Sequence, residues 1–256
     1  MTYSIAMNIP RRCFLGSGDD YMDFEMGKMT WCEVKESIRN EKGVIVPIGA
    51  LEEHGPHLPL ITDTALAWGV AKLAAEKTGF LVMPPLFLGV CRTTRTFPGT
   101  ISIGFVTLKR LTEDILEELA SQGFKKTVLF SWHAGKSHSA ALREATFETK
   151  LRYKELDLYL IVSSELWSEV EKLLETKPFH AGELETSLML VVQPELVKMD
   201  RAVEEYPTVP PYRIKTTGKP WMRSGVVGNA TLASAEKGKE LLEIIVDKLV
   251  DILESF

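Results

Sequence analysis

The five histidines of this chain lie in three short segments, and histidine is the side chain that most readily changes charge or binds metal near neutral pH. His54 and His57 occur in GALEEHGPHLPLITD, His133 and His138 in SWHAGKSH, and His180 in HAGELETS. Each segment follows an apolar run or begins a predicted helix, where parallel α/β sheets place their functional loops. The three segments are therefore the candidate sites of chemistry.

The first segment combines side chains that divalent metals prefer. Glu52 and His54 are two residues apart, so in an extended stretch both side chains point the same way. Asp63 falls at the predicted start of a helix, where the helix dipole stabilises a carboxylate that can reach back over the strand end. Taken singly, Asp63 could cap the helix and His54 could be a hydrogen-bonded loop residue. Taken together, the three favour a zinc or manganese site.

The second segment follows a strand predicted at residues 126–132, so the ring of His133 should project from the C-terminal edge of the sheet. Because the first segment already supplies metal-binding side chains, we interpret His133 as a metal ligand rather than a buried core histidine. His138 should face the next helix and have a structural role. His57, which lies between two prolines, could orient a ligand from behind.

The third segment holds one histidine and two carboxylates. Glu183 and Glu185 cannot face the same direction, whereas His180 and Glu185 could meet across a turn. A carboxylate would complete a metal site, and a free histidine beside it would supply a general acid or base. Glu183 could instead interact with the exposed backbone N–H groups at a helix start. The pattern leaves open which glutamate completes the site.

Apolar runs and amphipathic stretches alternate along the chain. Strands are predicted at residues 43–50, 80–88, 126–132 and 156–163, and helices at 64–77, 106–122, 139–154, 183–192 and 233–253. Strands separated by helices predict an α/β fold whose mostly parallel sheet is covered on both faces. Residues 1–28 are predicted to be an irregular extension. No repeat or linker divides the chain, so we expect one domain over residues 1–256.

Composition narrows the range of partners. The formal charge of −5 and the pI near 5.7 disfavour nucleic acid, which requires concentrated Lys and Arg. The three cysteines show neither a disulfide framework nor a CxxC metal motif. No signal-peptide pattern and no segment of roughly 20 apolar residues is present, so a soluble cytoplasmic protein without membrane partners is expected.

These segments resemble the creatininase (creatinine amidohydrolase) family. GALEEHGPHLPLITD is similar to that family's Glu-x-His-Gly-x-His-Leu-Pro…Asp motif, and FPGTIS at 97–102, HAGELETS and SGVVGNATLASAEKG at 224–238 also look like family segments. The likeness runs from about Trp31 to the C-terminus. It implies a three-layer α/β/α sandwich and a binuclear centre of two divalent ions, zinc or manganese, with iron as an alternative. It also implies a homo-oligomer, a hexamer in the family.

The resemblance also implies roles for individual residues. Glu52, His54, Asp63 and His133 look like ligands, with Asp63 between the two ions, and His180 looks like the catalytic histidine. Creatininases carry a ligating glutamate where this chain has Gly135, so we predict Glu185 as the fifth ligand. Glu183 is its rival and, with His57, is predicted to support the ligands from behind.

The predicted substrate-binding residues are Trp132, Ala134 and Thr176, the last two at positions where creatininases present aromatic surface. Creatinine itself is therefore expected to be a poor substrate. We predict a metal-dependent amidohydrolase that opens the C–N bond of a small cyclic amide with a metal-bridged hydroxide. The alternatives are a formamide deformylase of the pterin or flavin precursor type, a peptide-cleaving member, and a non-catalytic metal scaffold. Three cations near the motifs could serve an anionic or phosphorylated substrate or be ordinary surface charges: Arg92, Arg95 and Lys136.

Overall fold

The computed structural model describes residues 24–208 and 222–256 and places a four-stranded parallel sheet at the centre of this part of the chain. The strands are β1 (Val44–Ile48), β2 (Leu81–Val82), β3 (Lys126–Ser131) and β4 (Asp157–Val162), in the order β2-β1-β3-β4. Ile48 pairs with Ser131, the last residues of β1 and β3. The first two histidine segments therefore leave the sheet side by side at one edge.

Helices cover both faces of this sheet. They are α1 (Trp31–Arg39), α2 (Thr62–Thr78), α3 (Phe105–Gln122), α4 (Lys136–Arg152), α5 (Trp167–Val170), α6 (Glu183–Val192) and α7 (Ala235–Glu254). Helices α2, α5, α6 and α7 share one apolar core with the sheet, and α1, α3 and α4 share the other. A short antiparallel ribbon joins β5 (Glu204–Glu205) to β6 (Gly228–Asn229). The predicted three-layer α/β/α sandwich is confirmed.

Alternation along β1 explains the two cores. Ile45 packs into the core of α2, α6 and α7, while its neighbours Val44 and Val46 pack into the core of α1, α3 and α4. Every residue of β1 is buried. A strand buried on both faces reads as a continuous apolar run, which is typical of parallel sheets between helical layers.

Two predicted elements differ from the structure. The strand expected at residues 80–88 shrinks to β2, because Pro84 and Pro85 cannot donate ladder hydrogen bonds, and pairing resumes only as a bridge from Ile48 to Leu86. Helix α1 was not predicted. Thr30 and Glu33 form a capping box at its start, a signal that the pattern of apolar residues alone does not reveal.

The predicted irregular extension, residues 1–28, lies mostly outside the described residues. Of its described residues, Glu25 bridges to Val82, and Met26–Lys28 form a 3-10 turn. Within the described ranges, no helix is both long enough and apolar enough to cross a membrane.

Candidate metal centre

Asp63 is fixed in the first turn of α2, directly beyond the end of β1. The helix begins at Thr62 and its N-cap is Ile61, so Asp63 lies within the first turn and does not cap the helix. The close approach of helix and strand depends on Gly49, because a Cβ there would lie 2.4 Å from the backbone of Thr64. A buried carboxylate thereby faces the loop that carries Glu52 and His54.

The two oxygens of Asp63 face two different histidines. Oδ1 lies 3.3 Å from Nε2 of His54, and Oδ2 lies 3.0 Å from Nδ1 of His133. Glu52 Oε2 lies 2.9 Å from the same His133 nitrogen, and Glu185 Oε2 lies 3.9 Å from His54 Nε2. The five predicted ligands therefore converge as two half-sites that share Asp63. One contains Glu52 and His133, and the other contains His54 and Glu185.

The chemistry of this cluster fits divalent metal. All five side chains are buried. Glu52 Oε2, His54 Nε2 and Asp63 Oδ2 are buried and each lies 2.9–3.3 Å from another polar atom of the cluster, but none of the three makes a well-formed hydrogen bond with a described residue. Unpartnered buried polar atoms are costly and rare, so several in one cluster require a further group. Imidazole nitrogens and carboxylate oxygens are the donors that zinc and manganese accept.

The electrostatics of the cluster also favour a cation. Burial lowers the pKa of His54, but the carboxylates of Asp63, Glu185 and Glu52 outweigh burial and raise that pKa to about 10. Burial raises the pKa of Glu52, but His133 and then His180 outweigh it and lower that pKa to about 2. Carboxylates that hold protons on neighbouring histidines would equally stabilise metal ions in the place of those protons.

The loop after β2 supports the Glu52 half-site through contacts that the sequence analysis does not predict. The hydroxyl of Thr94 donates to Glu52 Oε1. Nε2 of His133 lies 3.3 Å from the carbonyl oxygen of Val90 and 3.9 Å from the sulfur of Cys91. Burial raises the pKa of the Cys91 thiol. These partners lie about forty residues from the side chains they contact, and no local spacing indicates them.

Trp132 does not face a substrate, contrary to prediction. Its side chain lies in the core, edge-on to Phe130, and only 2% of the residue is exposed. Its indole N–H donates to Glu185 Oε1 at 3.1 Å. Side chains alternate along an extended chain, so when His133 points toward the cluster the preceding side chain points toward α6.

Glu185 is also held by the backbone of Ala181, whose N–H donates to Oε2 at 2.6 Å. Ala181 has φ of 50°, a left-handed conformation that is unfavourable for a residue with a Cβ. Strain of this kind persists where the surroundings enforce it, often at functional sites. Here it aims one N–H at a predicted metal ligand.

Glu183 lies away from the cluster. Its carboxylate accepts the N–H groups of Glu175 and Thr176 at 3.0 and 2.9 Å and forms an ion pair with Lys237. The hydroxyl of Thr176 also donates to it at 2.9 Å, so Thr176 is tied to Glu183, which differs from its predicted substrate-binding role. Glu183 thus anchors the start of α6 and the loop before it, and it does not support the ligands directly.

His180 reaches the cluster with a partner that sequence reasoning missed. Its Nε2 lies 3.0 Å from the carbonyl oxygen of Glu53 and 3.3 Å from Glu53 Oε1. Its ring centroid is 4.6 Å from that of His54. Burial and the charge of His54 lower the pKa of His180, but the hydrogen bond with Glu53 contributes to a net rise. Glu53 went unnoticed because 127 residues separate the two.

The other two histidines are structural in their contacts. His57 Nε2 lies 2.8 Å from the hydroxyl of Thr186, and burial followed by the charge of His54 lowers the pKa of His57 to about 4. Within the described residues neither ring nitrogen hydrogen-bonds a predicted ligand, so His57 supports the ligands only through Thr186 and through its electrostatic interaction with His54. His138 accepts the N–H of Val90 at 3.2 Å and lies 3.2 Å from the hydroxyl of Ser131.

Ala134 and three cations lie close in sequence to residues of the cluster. Ala134, next to His133, is partly exposed. Arg92 follows Cys91, Arg95 follows Thr94, and Lys136 is the first residue of α4. All three are exposed, and none forms an ion pair within the described part of the chain.

Comparison with known proteins gives this geometry a family. The family model described as "Creatininase: Creatinine amidohydrolase" matches residues 27–253. The chain is 34% identical to creatinine amidohydrolase of Pseudomonas putida over 89% of this chain and 95% of that protein. It is 31% identical to the mycofactocin precursor peptide peptidase of Mycolicibacterium smegmatis, over 81% of this chain and 83% of that one.

Solved creatininase structures, one with manganese and one of Zn-Zn type, match with a TM-score of 0.83. They are 30% identical and cover 91% of this chain and 98% of theirs. Sequence and fold agree over the same region, which includes the whole candidate centre. The chain therefore belongs to the creatininase family of metal-dependent hydrolases.

Proposed function

We propose that this protein hydrolyses the C–N bond of a small cyclic amide with two divalent ions held by Glu52, His54, Asp63, His133 and Glu185. The observation that carries the proposal is the position of Asp63, whose two oxygens face His54 and His133 within one buried cluster. A carboxylate shared between two half-sites is suited to holding two divalent ions close together. Family membership supplies the reaction class, and the substrate is our inference.

Each residue has a defined part in this proposal. Glu52 and His133 would hold one ion, His54 and Glu185 the other, and Asp63 both. When bound, such ions make water more acidic and polarise a carbonyl oxygen. The manganese and Zn-Zn creatininase structures support zinc or manganese as the metal.

His180 is proposed to move the proton of the reaction. Hydrolysis adds hydroxyl to the carbonyl carbon and a proton to the departing nitrogen, so a group must carry that proton across the site. His180 stands beside His54 and is partly exposed, which allows it to meet a substrate. A positioned acid–base group contributes roughly 10²–10⁴ in rate.

The residues next to the cluster in sequence favour a second candidate substrate, an anionic compound. Ala134 offers little apolar surface, so creatinine should bind poorly. Arg92, Arg95 and Lys136 are exposed and form no ion pair with a described residue, which suits an anionic compound. A phosphorylated formamide or a peptide carboxylate has that charge, and one relative is a peptide peptidase.

A metabolite screen with metal-loaded protein, read by mass spectrometry for a gain of water, tests the proposal. One product heavier by water indicates a cyclic amide, formate release indicates a formamide, and two peptide products indicate a peptidase. Asp63→Asn should bind less metal and should hydrolyse none of the three kinds of substrate. Less than one equivalent of metal after reconstitution would contradict the binuclear centre, and full loading without turnover would favour a non-catalytic scaffold.

We also propose a cytoplasmic homo-oligomer, a hexamer as in the family resemblance. Phe147 and Leu151 support it, because they are one turn apart on α4 and are 61% and 55% exposed. Light scattering of the purified protein measures the subunit number, and a monomer at micromolar concentration would contradict the proposal.

A further inference from the structure

Glu53 is a buried carboxylate between the candidate ligands Glu52 and His54 in sequence, and within the described part of the chain it forms no ion pair or hydrogen bond with either. Only 6% of its side chain is exposed. Among the described residues, its ion-pair partner is His180. Burying a carboxylate is unfavourable unless hydrogen bonds and charge compensate, so its contacts indicate its role.

Each Glu53 oxygen accepts from a different group. Oε2 accepts the N–H of Gly55 at 3.0 Å, and Oε1 lies 3.3 Å from His180 Nε2. The backbone is fixed as well, because the Glu53 N–H donates to the hydroxyl of Thr100 at 2.9 Å. A role limited to the local turn would need only the Gly55 contact. The second oxygen is directed at a residue 127 positions away.

The backbone carbonyl oxygen and the carboxylate oxygen Oε1 of Glu53 both contact Nε2 of His180. The carbonyl oxygen lies 3.0 Å and the carboxylate oxygen 3.3 Å from Nε2. Oxygens of these kinds accept hydrogen bonds, so Nε2 must carry the proton in both contacts. In the neutral ring Nδ1 is then the nitrogen with the free lone pair.

The segment 224–228 closes the other side of this pair. Gly225 has φ of 86°, and a Cβ there would lie 1.8 Å from Glu53 Oε2. Val227 forms a β-bridge with His180, through the His180 carbonyl at 2.9 Å. The same backbone segment therefore packs against the Glu53 carboxylate and hydrogen-bonds His180, so the surrounding fold fixes the position of the pair.

We propose that Glu53 is a positioning residue that holds His180 in the Nε2–H tautomer, so that Nδ1 exchanges the proton of the reaction. This rests on the proposed function of His180. Nδ1 accepts a proton from the attacking water as the C–O bond forms. It returns that proton to the departing nitrogen as the C–N bond breaks, so the ring ends as it began with Nε2–H still bound to Glu53.

The decisive variant is Glu53→Gln, because only a carboxylate accepts from both donors. An amide of the same shape has one oxygen, so its NH2 group would face either the Gly55 N–H or the His180 Nε2–H. We expect kcat to fall at least about tenfold with KM changed less than kcat, and metal content to stay at the wild-type level. Glu53→Ala provides a second variant, which removes both side-chain contacts and keeps the backbone carbonyl at His180 Nε2.

The matched control is Glu113→Gln, which removes a buried carboxylate of α3 that is paired with Lys109. It should keep wild-type kcat. The direct readout is 15N NMR of the histidine rings in metal-loaded protein, with His180 assigned by His180→Asn. Protonated Nε2 and bare Nδ1 are expected, and the spectrum should change in Glu53→Gln but not in Glu113→Gln.

The possible results distinguish the role of Glu53 from the proposed catalytic role of His180. A protonated Nδ1 in the wild type, or full kcat in Glu53→Gln while His180→Asn is inactive, overturns the role of Glu53 and leaves His180 in place. Full kcat in His180→Asn overturns the proposed role of His180 itself. If Glu53→Gln does not fold, Glu53→Ala and the wild-type ring spectrum still decide the question.

Discussion

The indole N–H of Trp132 donates a 3.1 Å hydrogen bond to Oε1 of Glu185, which joins the end of β3 to the first turn of α6. The other oxygen of Glu185 accepts the N–H of Ala181 and lies 3.9 Å from His54 Nε2. With a donor on each oxygen, the carboxylate has little freedom to turn. Its orientation toward His54 is therefore set by residues outside the cluster.

Trp132→Phe tests this support. Phenylalanine keeps most of the apolar volume and removes the donor, so we expect about 10–100-fold weaker binding at one metal site, as for other partners of metal ligands. Titration calorimetry of metal into the metal-free protein measures it. Phe130→Leu, a neighbouring core change without a hydrogen bond, should lower stability and leave metal affinity unchanged. Equal affinity in Trp132→Phe and wild type would count against the support.

Glu185→Gln and Glu183→Gln separate a ligand from an anchor. We predict that Glu185→Gln lowers occupancy to about one ion per chain and abolishes turnover. Glu183→Gln should keep both ions but lose about 1–3 kcal/mol of unfolding free energy, because Glu183 pairs with Lys237 and accepts two backbone N–H groups. Metal analysis and denaturant unfolding of both variants decide it. The reverse pattern would assign the fifth ligand to Glu183.

The metal-free protein should lose stability in alkaline solution. The His54 pKa is raised to about 10 by Asp63, Glu185 and Glu52 against the effect of burial, from 6.5 in the unfolded chain. A raised folded-state pKa stabilises the fold fully below pH 6.5, and that contribution disappears as pH rises toward 10. Thermal unfolding of metal-free protein between these values measures the decline, which should be smaller in His54→Asn. A flat profile in wild type would contradict the electrostatic picture.

Glu52 should act on the acid side of the same profile. Its pKa is lowered to about 2 because His133 and His180 outweigh burial, so its contribution is full above its unfolded value of 4.5 and is lost as pH falls toward 2. Acid unfolding of Glu52→Gln against wild type measures this contribution, and the gap between the two should narrow as pH falls through that range. An unchanged gap would contradict it.

Much of the fold follows from local sequence. Helix α6 begins and ends where the period of apolar residues predicts, and α3 begins one residue earlier than expected. Apolar periodicity encodes burial, and burial defines these elements. The strand after α2 was overestimated because two prolines interrupt an otherwise apolar run. Local pattern thus gives the sandwich and the edge at which the histidine segments meet.

The partners within the site could not be read from spacing. Glu53 meets His180, and Thr94 meets Glu52, across loops whose paths depend on the packed fold. Trp132 is predicted as a substrate-binding residue, whereas the alternation of a strand sends its side chain into the core. The roles of the metal-binding residues stay predictions, and what the structure adds is the geometry on which to test them.

Gly225→Ala and Gly79→Ala test whether the Glu53 carboxylate depends on the room beside it. Both glycines have left-handed φ, 86° and 75°, so each substitution should cost about 1–2 kcal/mol of backbone strain. At Gly79 nothing lies within 4 Å of the added Cβ, whereas at Gly225 it would lie 1.8 Å from Glu53 Oε2. The clashing atom is the end of a flexible side chain, so the carboxylate should move while the fold survives. We therefore expect similar losses of unfolding free energy in both variants but a fall in kcat only in Gly225→Ala. Equal kcat in the two would mean that displacing this carboxylate does not disturb His180.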